Sequence, residues 1–440
     1  MSNANAPAQT FDARDGLRRV FRHALDECSI ATAFDRQVQY EREVLRIADD
    51  LYHLPDYDRV VSIGIGKAAH TLAAALGAKL GSMVSGVVAT VIDPPNKLPG
   101  FEYYCGGHPL PDAGSLRAAD AILRAMESVT EKSLVIFLIS GGGSAVVEKP
   151  MGAMSLPELI ATYHALVHSS APIAQINTIR KHLSAIKGGR LALAAKRARQ
   201  VSLFVSDVPE NKLDALASGP TLPDSTTVDD CYAIAAQHEL LPHFPPSVRA
   251  LFAERRLQET PKAGDPVFAA ARWSVLLSNG SALKAAKERV TAEGFTVEID
   301  NSCDDWDYAR AADYLLDKLA KLRQKAPRAC VVSGGEVTVK VTDGGRGGRN
   351  QHFALYCAAK IAGRNLAVLS AGTDGIDGDS PAAGAVVDGG TMARAQKLNL
   401  DPQRALAKFD SFPLFEALGD AIMTGPTGNN VRDLRVLLSW

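Results

Sequence analysis

The chain is 440 residues long and 46% hydrophobic, which is enough for two domains with cores of their own. Its 48 basic and 49 acidic side chains give a formal net charge of -1, so composition provides no electrostatic basis for binding nucleic acid or an anionic membrane. Any bound anion is therefore expected at a local site.

The six cysteines are scattered singly, without C-x-x-C pairs, which argues against a disulfide framework or a structural zinc and fits a reducing cytosol. No apolar run is long enough to span a bilayer. The opening residues, "MSNANAPAQT", lack the basic and apolar regions of a signal peptide, and a disordered tail is expected over residues 1–16. These features predict a cytoplasmic protein.

Short apolar runs alternate with alanine-rich stretches of helical spacing along the chain. The runs are rich in β-branched residues and bounded by Gly, Ser or Asp, as buried parallel strands are. The predicted strands are "RVVSIGI", "SGVVATVI", "SLVIFLIS", "QVSLFVSD", "WSVLLSN", "FTVEID", "RACVVSG", "EVTVKVT" and "LAVLSAG". This alternation predicts an α/β fold with mostly parallel sheets. A stretch rich in proline and charge near 240–266 predicts a boundary between one domain at 17–250 and another at 265–440.

The first strand–turn–helix unit is "VVSIGIGKAAH", Val60–His70. A P-loop requires G-x-x-x-x-G-K-[ST], and two required residues are missing here. Val61 stands where the first glycine belongs, and Ala68 replaces the hydroxyl that binds Mg²⁺. The P-loop interpretation is therefore rejected.

Two interpretations of this turn stay open. Gly64-x-Gly66-x-x-Ala69 matches a dinucleotide fingerprint, because it follows a strand and opens a helix. Asp93, which ends a later apolar run, lies farther along than the usual spacing of about 20 residues, and a lysine inside the turn is unusual. Alternatively, Lys67 adds its charge to the N–H groups and dipole of the following helix and forms a site for a phosphate or carboxylate.

The histidines indicate no catalytic arrangement. His108 lies in the proline-rich stretch "GGHPLPDAGS", in which Asp112 and Ser115 are predicted to cap a helix. Neither a serine–histidine–acid order nor a metal-binding histidine spacing is present, which disfavours a serine hydrolase and a zinc enzyme.

The strongest glycine signal is a run of three glycines directly after a predicted buried strand, in the loop Ser140-Gly141-Gly142-Gly143-Ser144. Such a run can turn successive N–H groups inward as an anion-binding nest, and the two serines can add hydroxyl donors. Three glycines also cost backbone entropy that a plain turn would not require. The loop is therefore predicted to bind an anionic group.

The strand "QVSLFVSD" ends at Asp207. A carboxylate at that edge of a sheet can deprotonate a substrate hydroxyl or hold Mg²⁺. The alternative for such an aspartate is a helix or turn cap, and Asp224, which precedes Ser-Thr-Thr, is expected to be a cap of this kind.

The second half of the chain contains two further candidate loops. Arg346 and Arg349 lie in the four-glycine loop "GGRGGR" just before an amphipathic helix, and an arginine fork matches carboxylate and phosphate geometry. Asp374, in "SAGTDGIDGDSPAAGAVVDGG", is the first choice for Mg²⁺, because it lies nearest the strand end. The remaining aspartates of that stretch are predicted to be turn residues: Asp377, Asp379 and Asp388.

Together these stretches resemble the glycerate 2-kinase family, whose members carry a C-terminal MOFRL domain and have in some cases been called hydroxypyruvate reductases. The similarity runs from about Leu17 to the C-terminus in unbroken order. The stretches that carry it are "GIGKAA", "GGHPLPDAGS", "SGGGSA", "INTIRKHLSAIKGGRLA", "SDVPENKLDALASGPTLPD", "SGGEVTV", "GGRGGRNQ", "AGTDGIDG" and "DSFPLFEALGDAIMTGPTGNNVRDL". One small departure is Asn429, where the family leads us to expect threonine.

The resemblance implies an ATP-dependent kinase that phosphorylates the 2-hydroxyl of D-glycerate in the presence of Mg²⁺. It implies a Rossmann-like α/β/α N-terminal domain and a smaller α/β MOFRL-type C-terminal domain, with the active site in the cleft between them. The expected partner is the small-molecule substrate, with a homodimer as a possible assembly. The functional positions of the family fall on Lys67, Asp207, Glu336, Arg349 and Asn430.

Phosphoryl transfer mainly requires alignment and charge neutralisation, and this suggests roles for the candidates. Lys67 and Arg349 would neutralise the transferring phosphoryl group or the glycerate carboxylate, while Asp207 would orient or deprotonate the 2-hydroxyl. Glu336 or Asp374 would hold Mg²⁺ directly or through water. The remaining candidates would bind substrate or nucleotide: Gly64, Gly66, Ser140, Gly141, Gly142, Gly143, Ser144, Arg346 and Asn430, together with Glu336.

Two alternatives remain at this point. An NAD(P)H-dependent hydroxypyruvate reductase fits the fingerprint at Gly64 and the older family name. A sugar-acid sensor that binds without chemistry would keep the glycine loops, although the joint presence of Lys67, Asp207 and Arg349 argues against it.

Overall fold

The computed structural model describes residues 12–341 and 344–440. The chain forms two compact units: a larger unit, Ile30–Leu277, and a smaller unit that joins residues 12–29 to Ser278–Trp440. The predicted tail lies outside the described residues up to residue 11, whereas residues 13–16 are helical. In the described part of the chain, no helix is both long and apolar enough to cross a membrane.

The helices, in chain order, are α1 (Ala13–Glu27), α2 (Ile30–Gln37), α3 (Ala69–Leu80), α4 (Ala113–Glu127), α5 (Gly143–Val146), α6 (Leu156–Val167), α7 (Ile173–His182), α8 (Arg190–Ala194), α9 (Val228–Gln237), α10 (Pro246–Ala253), α11 (Asn279–Ala292), α12 (Tyr308–Arg323), α13 (Arg349–Ile361), α14 (Thr391–Lys397), α15 (Pro402–Ala407) and α16 (Ser411–Leu418). The strands are β1 (Val38–Glu41), β2 (Val44–Ile47), β3 (Asp50–His53), β4 (Arg59–Ile65), β5 (Val84–Thr90), β6 (Phe101–Cys105), β7 (Ser133–Ser140), β8 (Arg199–Val205), β9 (Ala271–Leu277), β10 (Thr296–Ile299), β11 (Ala329–Gly334), β12 (Leu366–Gly372), β13 (Gly384–Asp388), β14 (Ala421–Ile422) and β15 (Asp433–Ser439).

The larger unit is built on a parallel sheet with the order β6-β5-β4-β7-β8-β9. Numbered by appearance within this sheet, the order is 3-2-1-4-5-6, which is that of a Rossmann fold. The predicted Rossmann-like α/β architecture is therefore confirmed. All eight residues of β7 are buried, as the continuous apolar run predicts. The small antiparallel sheet β1-β2-β3 was not predicted, because its strands are short and partly exposed.

The smaller unit contains a six-stranded sheet with the order β10-β11-β15-β12-β13-β14. Only the β10–β11 pair is parallel, so the expectation of mostly parallel sheets is wrong for this unit. The reason is that the last strand, β15, inserts between β11 and β12 and runs antiparallel to both. The predicted strand "EVTVKVT" is also wrong over its described residues, in which Thr338 forms a single bridge to Asp307.

Helix α1 belongs to the smaller unit because its apolar face packs against that unit's core. Leu17 and Phe21 are buried in one cluster with Leu283 and Val436. Burial of a side chain of this size contributes about 1.5–3 kcal/mol. The other boundary is set by β9, which pairs with β8 and so extends the larger unit to Leu277. The structural units therefore differ from the predicted division at 250–265.

Candidate active site

The carboxyl ends of β4 and β7 form the topological switch point of the larger unit. From β4 the chain passes to β5 and β6 on one side, and it then returns to β7 on the other side of β4. Ligands of open α/β sheets bind at such a point, outside the carboxyl ends of the strands. Gly66 and Lys67 directly follow β4, and the triple-glycine turn Gly141–Gly143 directly follows β7.

The two turns are in direct contact through their backbones. The Lys67 N–H donates to the carbonyl oxygen of Gly141 at 2.9 Å, and the Ala68 N–H donates to Ser140 Oγ at 3.0 Å. Gly66 has φ +112°, and a Cβ there would overlap the Ser140 carbonyl oxygen. Any side chain at Gly66 would therefore separate the turns.

Lys67 is exposed between buried neighbours at the start of α3. Its aliphatic stem lies over Gly142, where a Cβ would come within 3.0 Å of Lys67 Cγ and 3.3 Å of Cε. Gly142 has φ +81° and directly precedes α5. The lysine is thus held beside the triple-glycine turn. Anion binding by this turn stays a prediction.

Asp207 lies against the same turn. It follows β8, which pairs with β7, and Ser140 is the register partner of Val205. A Cβ at Gly141 would overlap the Asp207 carboxylate, so the carboxylate touches the glycine backbone. The half-buried Asp207 and the exposed Lys67 therefore approach the triple-glycine turn from its two neighbouring strands.

A strained segment, which the sequence did not indicate, supports the turn from another direction. Ala217 and Ser218 have φ +49° and +61°, in the left-handed region that disfavours side chains. Ser218 Oγ lies 2.8 Å from Ser144 Oγ, and a Cβ at Gly143 would lie 2.7 Å from Ala217 Cβ. Such conformations cost on the order of 1–3 kcal/mol each and occur preferentially at functional sites.

His108, for which the sequence indicates no role, also joins this group. Its ring lies by Gly142, where a Cβ would come within 3.4 Å of His108 Cδ2. Burial and the nearby charge of Lys67 lower the pKa of His108, which favours the neutral imidazole. The predicted caps in the same stretch are confirmed, because Asp112 and Ser115 form the capping box of α4. Its proline-rich surroundings carried no periodic signal that could have revealed His108.

Two buried lysines hold the loops around the triple-glycine turn. Lys181 pairs with Asp214 at 2.8 Å and with Asp224 at 3.2 Å, and Lys187 pairs with Glu148, just beyond α5. The Asp224 carboxylate is fully buried. Asp224 does not cap α9, which Thr227 caps, but it caps the turn before that helix, because its Oδ1 accepts the Thr226 N–H at 3.1 Å. Such buried pairs are sensitive to the loss of one partner, which leaves an uncompensated charge.

Arg349, the first residue of α13, is the centre of a second group, in the smaller unit. Its Nε and Nη2 donate to the two carboxylate oxygens of Asp433 at 2.7 and 3.1 Å, and Nη2 lies 2.8 Å from Glu336 Oε1. Burial lowers the pKa of Arg349, but the hydrogen bonds and charge of Asp433 and then Glu336 more than reverse this, so the pKa is raised. The guanidinium is therefore permanently charged and fixed in orientation.

Glu336 is fixed by the turn that ends β11. Gly335 has φ +76°, and a Cβ there would lie 2.7 Å from Asp304 Oδ1. That carboxylate accepts the Glu336 N–H at 2.9 Å and pairs with Arg432 at 2.6 Å. The buried Asn279 amide accepts the Gly335 N–H and donates to the carbonyl groups of Val431 and Asp433, which ties the ends of β11 and β15 together.

Asp374 and Asn430 lie on two loops that pack together. The Thr427 N–H donates to the Asp374 carbonyl oxygen at 3.0 Å, and Thr427 Oγ1 donates to the Thr373 carbonyl oxygen at 2.7 Å. Asn430 Oδ1 accepts the Arg432 N–H at 2.9 Å. Asn430 is thereby linked to the Arg432–Asp304 pair that supports Glu336.

The side chains near these loops limit how a metal ion could be coordinated. Within 12–341 and 344–440, no group of three or more His, Cys, Asp or Glu side chains could hold a metal. Asp374 accepts the Ile376 N–H at 3.2 Å, and Glu336 pairs with Arg349. One or two carboxylates suffice for Mg²⁺ when substrate phosphates and water supply the other ligands. The residues fit that arrangement and do not fit an all-protein cage.

The start of α13 is anchored from a neighbouring loop. Asp377, predicted to be a turn residue, is buried and accepts the N–H groups of Asn350 at 3.0 Å and Gln351 at 2.8 Å. Arg346 is exposed, and its guanidinium lies 4.9 Å from the centre of the Phe412 ring. Asp377 therefore caps the helix that carries Arg349, a role that spacing did not indicate.

The structure brings the predicted residues together in two groups, which we name by their positions. The switch-point cluster consists of Gly64, Gly66, Lys67, Ser140, Gly141, Gly142, Gly143, Ser144 and Asp207, joined by His108 and Ser218. The arginine cluster consists of Glu336, Arg349, Asn430, Arg432, Asp433 and Asp304. Arg346 and Asp374 lie on loops of the same unit as the arginine cluster.

Comparison with known families gives two matches. The family described as "Domain of unknown function (DUF4147)" matches residues 16–253, and the MOFRL family matches residues 329–433. Together they cover most of both structural units.

Several named proteins are similar along most of the chain. D-glycerate 2-kinase from Thermotoga maritima is 37% identical over 384 residues, covering 86% of this chain and 90% of that protein. Glycerate 2-kinase from Pyrococcus horikoshii is 33% identical over 389 residues, with 86% and 87% covered. A putative hydroxypyruvate reductase from Agrobacterium vitis is 36% identical over 434 residues, with 97% and 94% covered.

A solved structure is similar to this fold. The glycerate kinase from Thermotoga maritima superposes with a TM-score of 0.86 at 32% identity, covering 97% of this chain and 99% of that one.

The cap of α13 predicts a pH-dependent stability. Burial raises the pKa of Asp377 from 3.8 to about 6, while the N–H groups of Gln351 and Asn350 limit the rise. Because the folded pKa exceeds the unfolded one, the contribution of Asp377 is complete below pH 4 and is lost as the pH rises through 6. Relative to Asp377→Asn, the wild-type unfolding free energy should fall by on the order of 2–3 kcal/mol between pH 4 and 7.

Urea denaturation of both proteins across this range measures the difference. The variant cancels the titration of other groups, which are common to both proteins. A difference that is constant from pH 4 to 7, or that rises with pH, would contradict the assignment.

Proposed function

The chain belongs to the glycerate kinase family with a MOFRL domain, and on that premise we propose that it transfers the γ-phosphoryl group of ATP to the 2-hydroxyl of D-glycerate. The products would be 2-phosphoglycerate and ADP. The observation that carries the proposal is the switch-point cluster, in which an exposed lysine and a carboxylate contact one triple-glycine turn. Phosphoryl transfer requires positioning and charge neutralisation more than covalent chemistry.

In the switch-point cluster, each residue has a role that follows from its contacts. The ammonium of Lys67 neutralises charge on the phosphoryl group or on the glycerate carboxylate. Asp207 orients the 2-hydroxyl and accepts its proton as the new P–O bond forms. Because glycine backbone lies beneath both side chains, a substrate can come close to the main chain there.

In the arginine cluster, Arg349 contributes a cation that cannot lose its proton. Asp433 holds Nε and Nη2, and Glu336 also pairs with Nη2, so Nη1 is the part of the fork that can meet a phosphate or carboxylate. Glu336 lies beside it, and Arg346 adds an exposed cation in the same glycine loop.

We assign Mg²⁺ to Glu336 or Asp374, acting with the phosphates of the nucleotide. A bound Mg²⁺ would supply charge neutralisation to the phosphate oxygens. The pairing of Glu336 with Arg349 orients that carboxylate before any ligand arrives. Asp374 is held by its turn, which likewise fixes the position of its carboxylate.

A cytoplasmic location and a homodimer stay predictions. All six cysteines are free thiols, and five of them are buried, which supports a reducing compartment.

The alternative function is an NAD(P)H-dependent hydroxypyruvate reductase. The Rossmann strand order favours it, and Gly64 packs against Ala69 as in a dinucleotide fingerprint, where a Cβ would lie 3.4 Å from Ala69 Cβ. Against it, the space above Gly66 is filled by the backbone of Ser140, where a pyrophosphate would have to approach. The kinase therefore accounts for the turn better.

The product of the reaction distinguishes the two functions. We expect purified protein incubated with D-glycerate, ATP and Mg²⁺ to form 2-phosphoglycerate, identified by phosphorus NMR. The same protein with hydroxypyruvate and NADH should leave NADH unchanged. NADH consumption without phosphoglycerate would replace the kinase by the reductase, and ligand binding without either product would favour a sensor.

The charge of Lys67 should be essential to turnover. Lys67→Met keeps most of the stem over Gly142 and removes the ammonium, so kcat should fall by about 10²–10³-fold, as when other charge-stabilising donors are removed. The melting temperature should hardly change, because the side chain is exposed. Steady-state kinetics measure the effect, with the exposed Lys132→Met as the matched control. A Lys67→Met enzyme with near-normal kcat would refute the assigned role.

A further inference from the structure

A cavity of about 370 Å³ lies beside the arginine-bearing glycine loop of the smaller unit. Its lining includes Val339, Gly345, Gly347, His352, Asp379 and Phe409. His352 lies on α13, three residues after Arg349, so the two are neighbours along one face of the helix. We call this space the ring cavity, and none of the roles assigned above uses it.

His352 is the unusual polar group of the ring cavity. Its side chain is only 1% exposed, yet neither Nδ1 nor Nε2 has a hydrogen-bond partner. Burial lowers its pKa to about 4, so the imidazole is neutral at pH 7 and carries one donor and one acceptor. Buried polar atoms without partners are costly, and a pair on one ring calls for an explanation.

The ring of His352 is held between two aromatic side chains. Phe409 stacks on it with ring centres 4.2 Å apart and planes at 15°, and Tyr308 meets it edge-on at 4.6 Å. Phe409 has φ +53°, a left-handed conformation that a bulky residue adopts only when its surroundings enforce it. The backbone of Phe409 is therefore strained at the position where its ring stacks on His352 beside the cavity.

The charges around the ring cavity indicate which part of a nucleotide suits it. Asp379 lines the cavity and is exposed, and its negative charge disfavours a phosphate or the glycerate carboxylate there. Val339 and Phe409 provide apolar walls for a flat ring. Outside the lining, Arg346 lies in the same loop and Arg349 is the first residue of α13, and both cations suit the phosphates.

We propose that the ring cavity binds the adenine base of the nucleotide, with His352 as its polar contact. The proposal rests on the kinase function above and adds the base subsite to it. Both His352 nitrogens are closed to solvent in this structure, so the base must open the cavity wall at the imidazole to reach them. Adenine carries both an amino donor and a ring-nitrogen acceptor, so either tautomer of His352 then finds a partner on it. The base also gains stacking area from the apolar walls.

The test compares ligands that contain and lack the base. In His352→Phe the ring stack remains and both nitrogens are removed, and replacing unpaired polar atoms by apolar ones should leave the melting temperature unchanged or raised. By calorimetry, the Kd for ADP should rise by about 3–10-fold, the loss of one hydrogen bond. Tripolyphosphate, which has no base, should inhibit wild type and variant equally, and the KM for D-glycerate should not change.

Two further variants complete the design. Val339→Trp fills the ring cavity without altering His352. It should also weaken the binding of ADP and leave the binding of tripolyphosphate unchanged. The exposed His164→Phe is the control and should bind both ligands normally. If neither cavity variant weakens ADP, or if both weaken ADP and tripolyphosphate alike, the base subsite is refuted.

The proposal and the kinase function fail separately. If the wild type forms phosphoglycerate and both cavity variants bind ADP as tightly as the wild type does, the base subsite is refuted and the kinase function stands. Selective loss of ADP binding in a protein that makes no phosphoglycerate would remove the function and keep the subsite.

Discussion

The larger unit's candidate site depends on one steric constraint, the absence of side chains where two strand-end turns meet. Gly66 lies against the backbone of Ser140, and Gly141 lies against the carboxylate of Asp207, with no room for a methyl group at either place. This close packing brings Lys67 and Asp207 to the same turn from neighbouring strands. Only residues without a side chain allow Lys67 and Asp207 to come this close to the turn. This accounts for three successive glycines despite their cost in backbone entropy.

In the smaller unit, the corresponding constraint is electrostatic. The positive charge of the partly buried Arg349 needs a negative partner. The carboxylate of Asp433, which is 1% exposed, provides it and accepts two hydrogen bonds from the guanidinium. Glu336 is fixed beside it by a turn that Asp304 and Arg432 hold in place. Charge-assisted bonds of this kind orient a guanidinium as well as stabilise it. The cluster is thus formed before a ligand is bound.

The sequence predicted the features that are local in the chain. Strands β4, β7 and β12 occur at the predicted residues, because each is a continuous apolar run with a glycine or serine at or just after its end. The insertion of β15 between distant strands and the approach of His108 to Lys67 depend on contacts between residues far apart in sequence. The same holds for Asp377, whose carboxylate reaches the start of α13 from another loop. Composition and spacing contain no signal for such contacts.

The most direct test of the central claim is the turnover of Gly141→Ala beside that of Gly264→Ala. A methyl group at Gly141 overlaps the Asp207 carboxylate, whereas one at Gly264 meets nothing within 4 Å. If the turn and the carboxylate form one catalytic unit, glycerate phosphorylation falls by orders of magnitude in the first variant and stays normal in the second, while both remain folded. Equal activity of the two variants would contradict the account.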